Sequence, residues 1–183
     1  MQRIILHGTR LRGLVEAGRG HVIHVDGSTP LLGAFQSTLR AVRMSPVELV
    51  VACHGFMTHY YDDAANPELR GGIGLQLCQE SLMVTNVSSV SVLKNAFSRI
   101  WLMACGPAGT HVHESRPFCR ELAAYADTTV IASDRPQLYF PGVNEGRQSK
   151  PVLRFGAWEG SIYEFAPDGR VQKINRNTES PLP

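Results

Sequence analysis

Lysine is scarce in this chain of 183 residues, and nowhere does the sequence concentrate positive charge. Its 18 basic residues are nearly balanced by 16 acidic ones, which leaves a formal net charge of +2. Nucleic-acid-binding surfaces need a dense basic patch, so no nucleic-acid partner is predicted. A membrane helix needs about 18 uninterrupted apolar residues, and the sequence has no such run. We therefore expect no membrane partner either.

The amino terminus lacks the apolar core of a secretory signal peptide, because its apolar stretch is too short. We therefore expect a cytoplasmic protein, or one exported by a route that leaves no mark in the sequence. The sequence also lacks a C-x-x-C pair, and each of its four cysteines lies in an apolar segment rather than in a loop-rich framework. Reduced thiols are predicted, and at least one of them is free for chemistry.

What the sequence does contain is typical of an ordinary globular protein: 43% hydrophobic residues, 17 glycines and 11 prolines. A chain of this length can bury a core without disulfides or a structural metal. We predict a single domain over residues 1–183, with its core at about 20–135. A loop and a β-hairpin follow at 136–175, and a frayed tail at 176–183.

Apolar runs typical of buried strands alternate with segments of helical spacing, which predicts an α/β fold with a mostly parallel sheet covered on both faces. The predicted strands are 3–6, 21–26, 47–53, 99–104 and 128–132, and the predicted helices are 31–43, 87–97 and 114–126. Two hairpins are predicted at 74–84 and 158–174. Residues 58–70 and 136–151 are predicted to be loops.

Two of the predicted buried strands end in residues with reactive side chains, His54 and Cys105. Parallel strands present their carboxyl ends at one edge of the sheet, where ligands of such folds bind. A thiol attacks a carbonyl as the thiolate, and a nearby imidazole both promotes ionisation and later protonates the leaving group. The pair therefore predicts nucleophilic catalysis, with Cys105 as nucleophile and His54 as base and acid.

Glycine follows each of these residues, at Gly55 and Gly106. A residue without a side chain lets a substrate peptide approach the backbone closely. The amides of Gly55 and Cys105 are then candidates to donate hydrogen bonds to a developing oxyanion.

The segments Val50-Val-Ala-Cys-His-Gly55 and Trp101-Leu-Met-Ala-Cys-Gly106 together resemble the caspase-like clan of cysteine peptidases. This clan includes caspases, legumains, gingipains, separases and bacterial CHAT-type domains. The resemblance covers roughly residues 47–134, and the interval from His to Cys is close to the value of about 50 residues noted for caspases. The short hairpin at 74–84 is a further likeness.

The resemblance implies a caspase-like three-layer α/β/α sandwich with a mostly parallel central sheet and a C-terminal β-hairpin. It also implies a cysteine endopeptidase that hydrolyses protein or peptide substrates through a thioester acyl-enzyme, without a metal or organic cofactor. A bacterial effector would suit the small size of the chain.

The sequence departs from the caspases two residues before the nucleophile, where Met103 stands in place of glutamine. Cleavage after aspartate is therefore not implied. Other clan members cut after Arg or Lys by means of an acidic pocket, for which Asp26 and Asp134 are candidates. Both aspartates equally suit ordinary turn or cap positions.

Two further functions stay open on the sequence. A catalytically degenerate member of the clan would bind a protein partner through the same cleft. A zinc site could be assembled from His54, Cys105 and either His111 or His113, although this spacing matches no familiar zinc pattern. Core packing is the expected role of Cys53, Cys78 and Cys119, and the oligomeric state is open.

Overall fold

A computed structural model of the chain describes residues 1–11, 13–15, 20–56, 58–60, 68–110, 116–137, 139–142, 152–155, 157–175 and 181–182. It contains two α-helices, α1 (Leu31–Ala41) and α2 (Pro117–Ala126), and one 3-10 helix (Val84–Leu93). Its strands are β1 (Gln2–Gly8), β2 (Leu14–Val15), β3 (His21–Val25), β4 (Val47–Ala52), β5 (His54–Gly55), β6 (Thr58–Tyr60), β7 (Glu68–Arg70), β8 (Gly74–Gln76), β9 (Leu82–Met83), β10 (Arg99–Met103), β11 (Thr129–Ser133), β12 (Tyr139–Gly142), β13 (Val152–Phe155), β14 (Ile162–Phe165) and β15 (Val171–Ile174).

The centre of the fold is a seven-stranded sheet with the order β15-β14-β11-β10-β4-β1-β3. Five adjacent strands of this sheet, β3, β1, β4, β10 and β11, run parallel to one another. The strand β14 pairs antiparallel with β11, and β15 pairs antiparallel with β14. An α/β fold with a mostly parallel, mixed sheet is thus confirmed. All five predicted strands form, and the predicted C-terminal hairpin forms as β14 and β15.

The apolar runs become strands because they are buried on both sides. All six residues of β4 are buried, as are five of the seven residues of β1 and four of the five residues of β10. On the first face of the sheet, α1, α2 and the 3-10 helix pack their apolar sides into one core cluster. Its largest side chains include Phe35, Leu93, Phe118 and Leu122.

The second face of the sheet is covered differently from the prediction. There Trp101 and its neighbours in the sheet pack against Leu11, Val15, Phe155 and Trp158. Several of these covering residues belong to a small sheet of order β12-β13-β2 and to the loops around it. Both α-helices of the described residues lie on the first face, so the expected helices on both faces are not found in this part of the chain.

Several local predictions need correction. Residues 58–70, predicted to be a loop, contain the β6–β7 hairpin, and the predicted loop 136–151 contains β12. The tail is not wholly frayed, because Leu182 is buried and the Pro181 carbonyl accepts a hydrogen bond from Arg3 Nη1 at 2.6 Å. The predicted helix 87–97 is a 3-10 helix that begins at Val84. Its serines and β-branched valines are poor α-helix formers.

The helix α1 begins as predicted at Leu31, and its N-cap residue, Pro30, forms no side-chain hydrogen bond to the helix. The Leu31 amide instead donates to the Glu80 carboxylate at 2.8 Å. Glu80 lies in the turn of the β8–β9 hairpin, which forms as predicted. The amino end of α1 is therefore tied to the hairpin that flanks the predicted site.

Candidate functional site

His54 lies just beyond the carboxyl end of β4. The Cys53 amide donates to the Met103 carbonyl at 3.4 Å, and the chain then turns into the two-residue strand β5. In β5, His54 pairs with Gln76 of β8 in antiparallel register. Its side chain is partly buried, so the hairpin fixes the backbone of His54 while the imidazole is not sealed from solvent.

Cys105 lies just beyond the carboxyl end of β10. The next residue, Gly106, has a φ of +57°, a left-handed conformation that glycine adopts without strain, and its amide donates to the Arg135 carbonyl at 2.9 Å. The Cys105 thiol is partly buried, and its Sγ lies 3.7 Å from the Gln137 carbonyl oxygen.

The structure brings these two strand ends together. β4 and β10 are adjacent parallel strands whose last paired residues are Ala52 and Met103, and His54 and Cys105 each lie two residues further on. A methyl group added to Gly55 would lie 2.9 Å from the Cys105 nitrogen and would clash with the Cys105 carbonyl. The two backbones are thus in close contact at the edge where ligands of such sheets bind.

The His54 imidazole has a hydrogen-bond partner that the sequence did not indicate. Its Nε2 lies 3.1 Å from the carbonyl oxygen of Arg10, in the loop after β1. A carbonyl oxygen only accepts hydrogen bonds, so Nε2 carries the hydrogen and donates it. In the neutral ring, Nδ1 is then the nitrogen that can take up a proton. Every residue has a backbone carbonyl, so the type of residue at position 10 gives no indication of this contact, and the sequence did not predict it.

The backbone amides near Cys105 differ in their availability. The Gly106 amide is already used by Arg135. The Phe56 amide donates to Gly74 at 3.1 Å, and hydrogen-bonded pairs alternate along an antiparallel ladder. The Gly55 amide, one residue earlier, therefore points away from β8. No hydrogen bond among the described residues uses it, and the oxyanion role of Gly55 and Cys105 stays a prediction.

Backbone packing against Gly71 and Gly72 fixes the turn that follows Cys105. The Gly72 amide donates to the Gly106 carbonyl at 2.8 Å. A methyl group on Gly71 would lie 3.1 Å from the carbonyl carbon of Gly106, and one on Gly72 would lie 2.9 Å from that of Gly109. Only residues without side chains allow this approach, so the glycines of this segment serve close packing.

On the second face of the sheet, aromatic side chains and the buried side-chain amide of Gln137 hold the backbone next to Cys105 in place. The Tyr139 hydroxyl donates to the Met103 carbonyl, and its ring meets Phe155 edge to face at 5.3 Å. Burial raises the pKa of Tyr139 well above its ordinary value, so it stays a neutral donor. The buried Gln137 side chain donates to the carbonyls of Arg135 and Glu159. These contacts fix the segment whose Gln137 carbonyl faces Cys105.

The other three cysteines are suited to packing. Burial raises the pKa of Cys53 and of Cys119 far above the ordinary value of a thiol. Burial also raises the pKa of Cys78, to about 11, with the neighbouring Glu80 carboxylate adding to the shift. The Cys119 thiol contacts the Pro107 carbonyl at 3.1 Å. None of these three groups is a thiolate at neutral pH, as a nucleophile must be.

Both predicted pocket aspartates occupy turns. Asp26 is exposed, and its carboxylate accepts hydrogen bonds from Ser28 at 2.7 and 2.8 Å; these bonds, with weaker ones from Thr29, lower the pKa of Asp26. Asp134 accepts from the Ser161 amide at 2.9 Å and joins the end of β11 to the start of β14. The structure gives each a turn role, and their part in a substrate pocket stays a prediction.

Among the described residues, no group of three or more His, Cys, Asp and Glu side chains is arranged to hold a metal ion. His111 and His113, the remaining ligands of the possible zinc site, lie outside the described residues. In the same part of the chain, no helix is both long and apolar enough to cross a membrane.

No protein-family model matches this sequence, and no curated protein matches it significantly. Any functional conclusion therefore depends on the geometry of the site.

Proposed function

We propose that the protein is a cysteine endopeptidase of caspase-like fold, with Cys105 as nucleophile and His54 as general base and acid. One observation carries the proposal: the ends of two adjacent parallel strands meet at Gly55 and Cys105, with the His54 ring held by the Arg10 carbonyl. This arrangement leaves the unprotonated nitrogen of His54 and a partly buried thiol at one edge of the sheet.

The reaction uses only groups of this chain. His54 Nδ1 takes the proton from Cys105 Sγ, and the sulfur forms a bond to the carbonyl carbon of the scissile peptide. The oxygen of the tetrahedral intermediate accepts hydrogen bonds from the amides of Gly55 and Cys105. The C–N bond then breaks, and the leaving amine takes its proton from His54. Water, deprotonated by His54, attacks the thioester carbon. The C–S bond breaks, the carboxylic acid product leaves, and His54 returns the proton to Sγ, which restores the thiol.

A second candidate is a degenerate, caspase-like module that binds a protein or peptide without cleaving it. One observation favours it: within the described residues, no hydrogen bond joins His54 to Cys105. The imidazole donates to the Arg10 carbonyl instead, and the thiol lies against the Gln137 carbonyl. A peptidase would close this gap through the substrate carbonyl, whereas a binding module needs no contact between the imidazole and the thiol.

A peptide library tests the peptidase directly, with the whole chain compared against Cys105→Ala and His54→Asn. We expect cleavage by the unaltered chain and a loss of at least about 1000-fold in each variant, as is typical when one member of a catalytic pair is removed. Cys78→Ser is the matched control, because it removes a thiol outside the pair and should leave cleavage unchanged.

Mass spectrometry of a peptidyl electrophile bound to the protein separates the two candidates. Stoichiometric labelling of Cys105 at pH 7 that is lost in His54→Asn supports the peptidase. If Cys105→Ala cleaves the library as well as the unaltered chain, the peptidase proposal is wrong. Saturable peptide binding without cleavage or labelling would establish the binding module.

A further inference from the structure

We propose that His7 is a positioning residue for His54, acting through the loop that supplies the Arg10 carbonyl. The inference rests on the proposed function, because it assigns a part of the same site. His7 lies on β1, next to Ala52 of β4 and His24 of β3 in the parallel registers. It does not touch Cys105 or His54 by any contact that the structure describes.

The burial of His7 calls for an explanation. Its side chain is 1% exposed and follows Ile4, Ile5 and Leu6, all fully buried. Burying a polar ring costs free energy unless its nitrogens form hydrogen bonds. An aliphatic side chain could be buried at this position of the strand without any hydrogen bond. We therefore look for the role of the imidazole in the groups to which it forms hydrogen bonds.

Both ring nitrogens of His7 have partners. Nε2 lies 3.1 Å from the Leu11 carbonyl oxygen, and Nδ1 lies 3.0 Å from Nδ1 of His24. The carbonyl can only accept, so Nε2 carries a hydrogen. In the neutral ring Nδ1 is then an acceptor, and His24 donates to it. The exposed His24 thereby fixes the tautomer that lets His7 hold Leu11.

The bond to Leu11 reaches His54 through two consecutive peptide units, because His7 holds the Leu11 carbonyl and His54 contacts the Arg10 carbonyl just before it. The Arg10–Leu11 peptide presents its carbonyl to His54 Nε2 at 3.1 Å, while its N–H donates to Gly8 at 3.0 Å. The Thr9 amide, which donates to Val25 at 2.8 Å, fixes the start of this loop. His7 fixes its end. Without the bond to His7, the Leu11 carbonyl loses its anchor. Among the hydrogen bonds that the structure describes, only that of the Leu11 amide to Gly8 then restrains this end of the loop, and the Arg10 carbonyl is held less firmly toward His54.

Two conservative variants of His7 separate positioning from general stability. In His7→Gln, the amide nitrogen reaches the place of Nε2 and still donates to Leu11. In His7→Asn, the amide reaches only the place of Nδ1, toward His24, and the bond to Leu11 is lost. Both are uncharged amides in the same buried site. His21→Gln is the matched control, since it changes an exposed histidine of β3.

The experiment measures kcat and KM on a cleaved peptide for the full chain and each variant, together with the ¹⁵N NMR signals of the His54 ring. We expect His7→Asn to lower kcat by about 10- to 100-fold with little change in KM, as misplacement of a reacting group does. The His54 ring should also lose its fixed Nε2–H tautomer. His7→Gln and His21→Gln should stay within about 3-fold of the unaltered chain.

Equal losses in His7→Asn and His7→Gln, or an unchanged kcat and His54 tautomer in His7→Asn, would overturn the inference. Failure of the proposed function looks different, because the unaltered chain would then cleave nothing. The NMR measurement still decides the inference in that case, since it asks only whether His7 controls the His54 tautomer.

Discussion

At the scale of single residues, Gly55 is where the site has least room. An added methyl group would lie 2.8 and 2.9 Å from the backbone carbon and nitrogen of Cys105, closer than real side chains approach backbone. Gly55→Ala should therefore push the two strand ends apart. We expect peptide cleavage to fall by about 100-fold or more, and the free energy of unfolding to fall by about 1–3 kcal/mol. Steady-state kinetics and urea denaturation measure the two effects.

Gly33→Ala serves as the control for that substitution. Gly33 lies within α1, and a methyl group there would meet only Pro30, at 3.8 Å. Alanine is the better helix former, so the free energy of unfolding should rise by about 0.5–1 kcal/mol with cleavage unchanged. If both glycine variants behaved alike, the close approach of Gly55 and Cys105 would not be what limits the site.

The four cysteines should differ sharply in reactivity. Burial raises the pKa of Cys53, Cys78 and Cys119, which keeps these three thiols protonated at neutral pH. Iodoacetamide reacts with thiolates, so brief treatment of the native protein at pH 7.5 should alkylate Cys105 first. Peptide mapping by mass spectrometry measures this order. Alkylation of Cys119 as early as Cys105 would contradict the buried packing described here, and denatured protein supplies the control in which all four react.

The sequence indicated the two candidate side chains at the strand ends, but not the backbone groups around them. His54 and Cys105 could be placed because an apolar strand that ends in a polar residue marks the edge of a parallel sheet. Arg10 contributes only a carbonyl, which every residue has. His7 did leave a signal, a polar residue closing an apolar strand, but its partners Leu11 and His24 are fixed by the fold rather than by sequence spacing.

At the scale of elements, α1 depends on a cap from outside its own sequence. Glu80 accepts a hydrogen bond from the first helical amide, and the Gln79 amide donates to the Thr29 carbonyl at 2.9 Å. Glu80→Ala should lower the free energy of unfolding by about 1 kcal/mol, as the loss of a helix cap does. Glu80→Gln keeps an acceptor oxygen and should lose less. Chemical denaturation of both variants checks this order.

Gln36→Ala provides a control on the same helix, because Gln36 is an exposed position of α1. It should change the free energy of unfolding by less than about 0.5 kcal/mol. A Glu80→Ala protein as stable as Gln36→Ala would show that water replaces the cap without cost.

Long apolar elements were predicted well, while several of the short ones were not. Strands such as β4 and β10 are specified by continuous apolar runs that only a doubly buried position satisfies. The strands β2, β6, β7 and β12 have two to four residues each. They pair because the fold brings them together, and a segment of that length is too short to show a periodicity.

At the scale of the whole molecule, the sequence predicted the central sheet better than the groups that pack on its second face. Alternating helices and buried strands implied a parallel sheet, and the sheet is there. Both faces of a buried sheet need an apolar cover, but nothing requires that cover to be helical. Here Leu11, Phe155, Trp158 and Leu182 come from distant parts of the chain to cover the second face. Such long-range packing has no local signature.

The three buried thiols make the stability of the whole protein depend on alkaline pH. Unfolding releases them to water, where they ionise near the ordinary cysteine pKa of 9.0, whereas the pKa of Cys78 in the folded protein is about 11 and the pKa values of Cys53 and Cys119 are raised further. Above pH 9 the unfolded chain therefore binds fewer protons than the folded one. The contribution of these thiols to the free energy of unfolding is therefore complete below pH 9 and falls as the pH rises above 9.

Each such thiol lowers the free energy of unfolding by up to about 1.4 kcal/mol per pH unit once the unfolded form is ionised. Urea denaturation under reducing conditions, at steps from pH 7.5 to 10.5, measures the slope. Cys119→Ala creates a small cavity, which lowers stability equally at every pH, but it also removes one of the three thiols. Between pH 9 and 10.5, the free energy of unfolding of Cys119→Ala should therefore fall less steeply with pH. The difference should be about one third of the slope that the three thiols contribute together. Parallel curves for the two proteins would mean that Cys119 is already ionised, or not buried, in the folded chain.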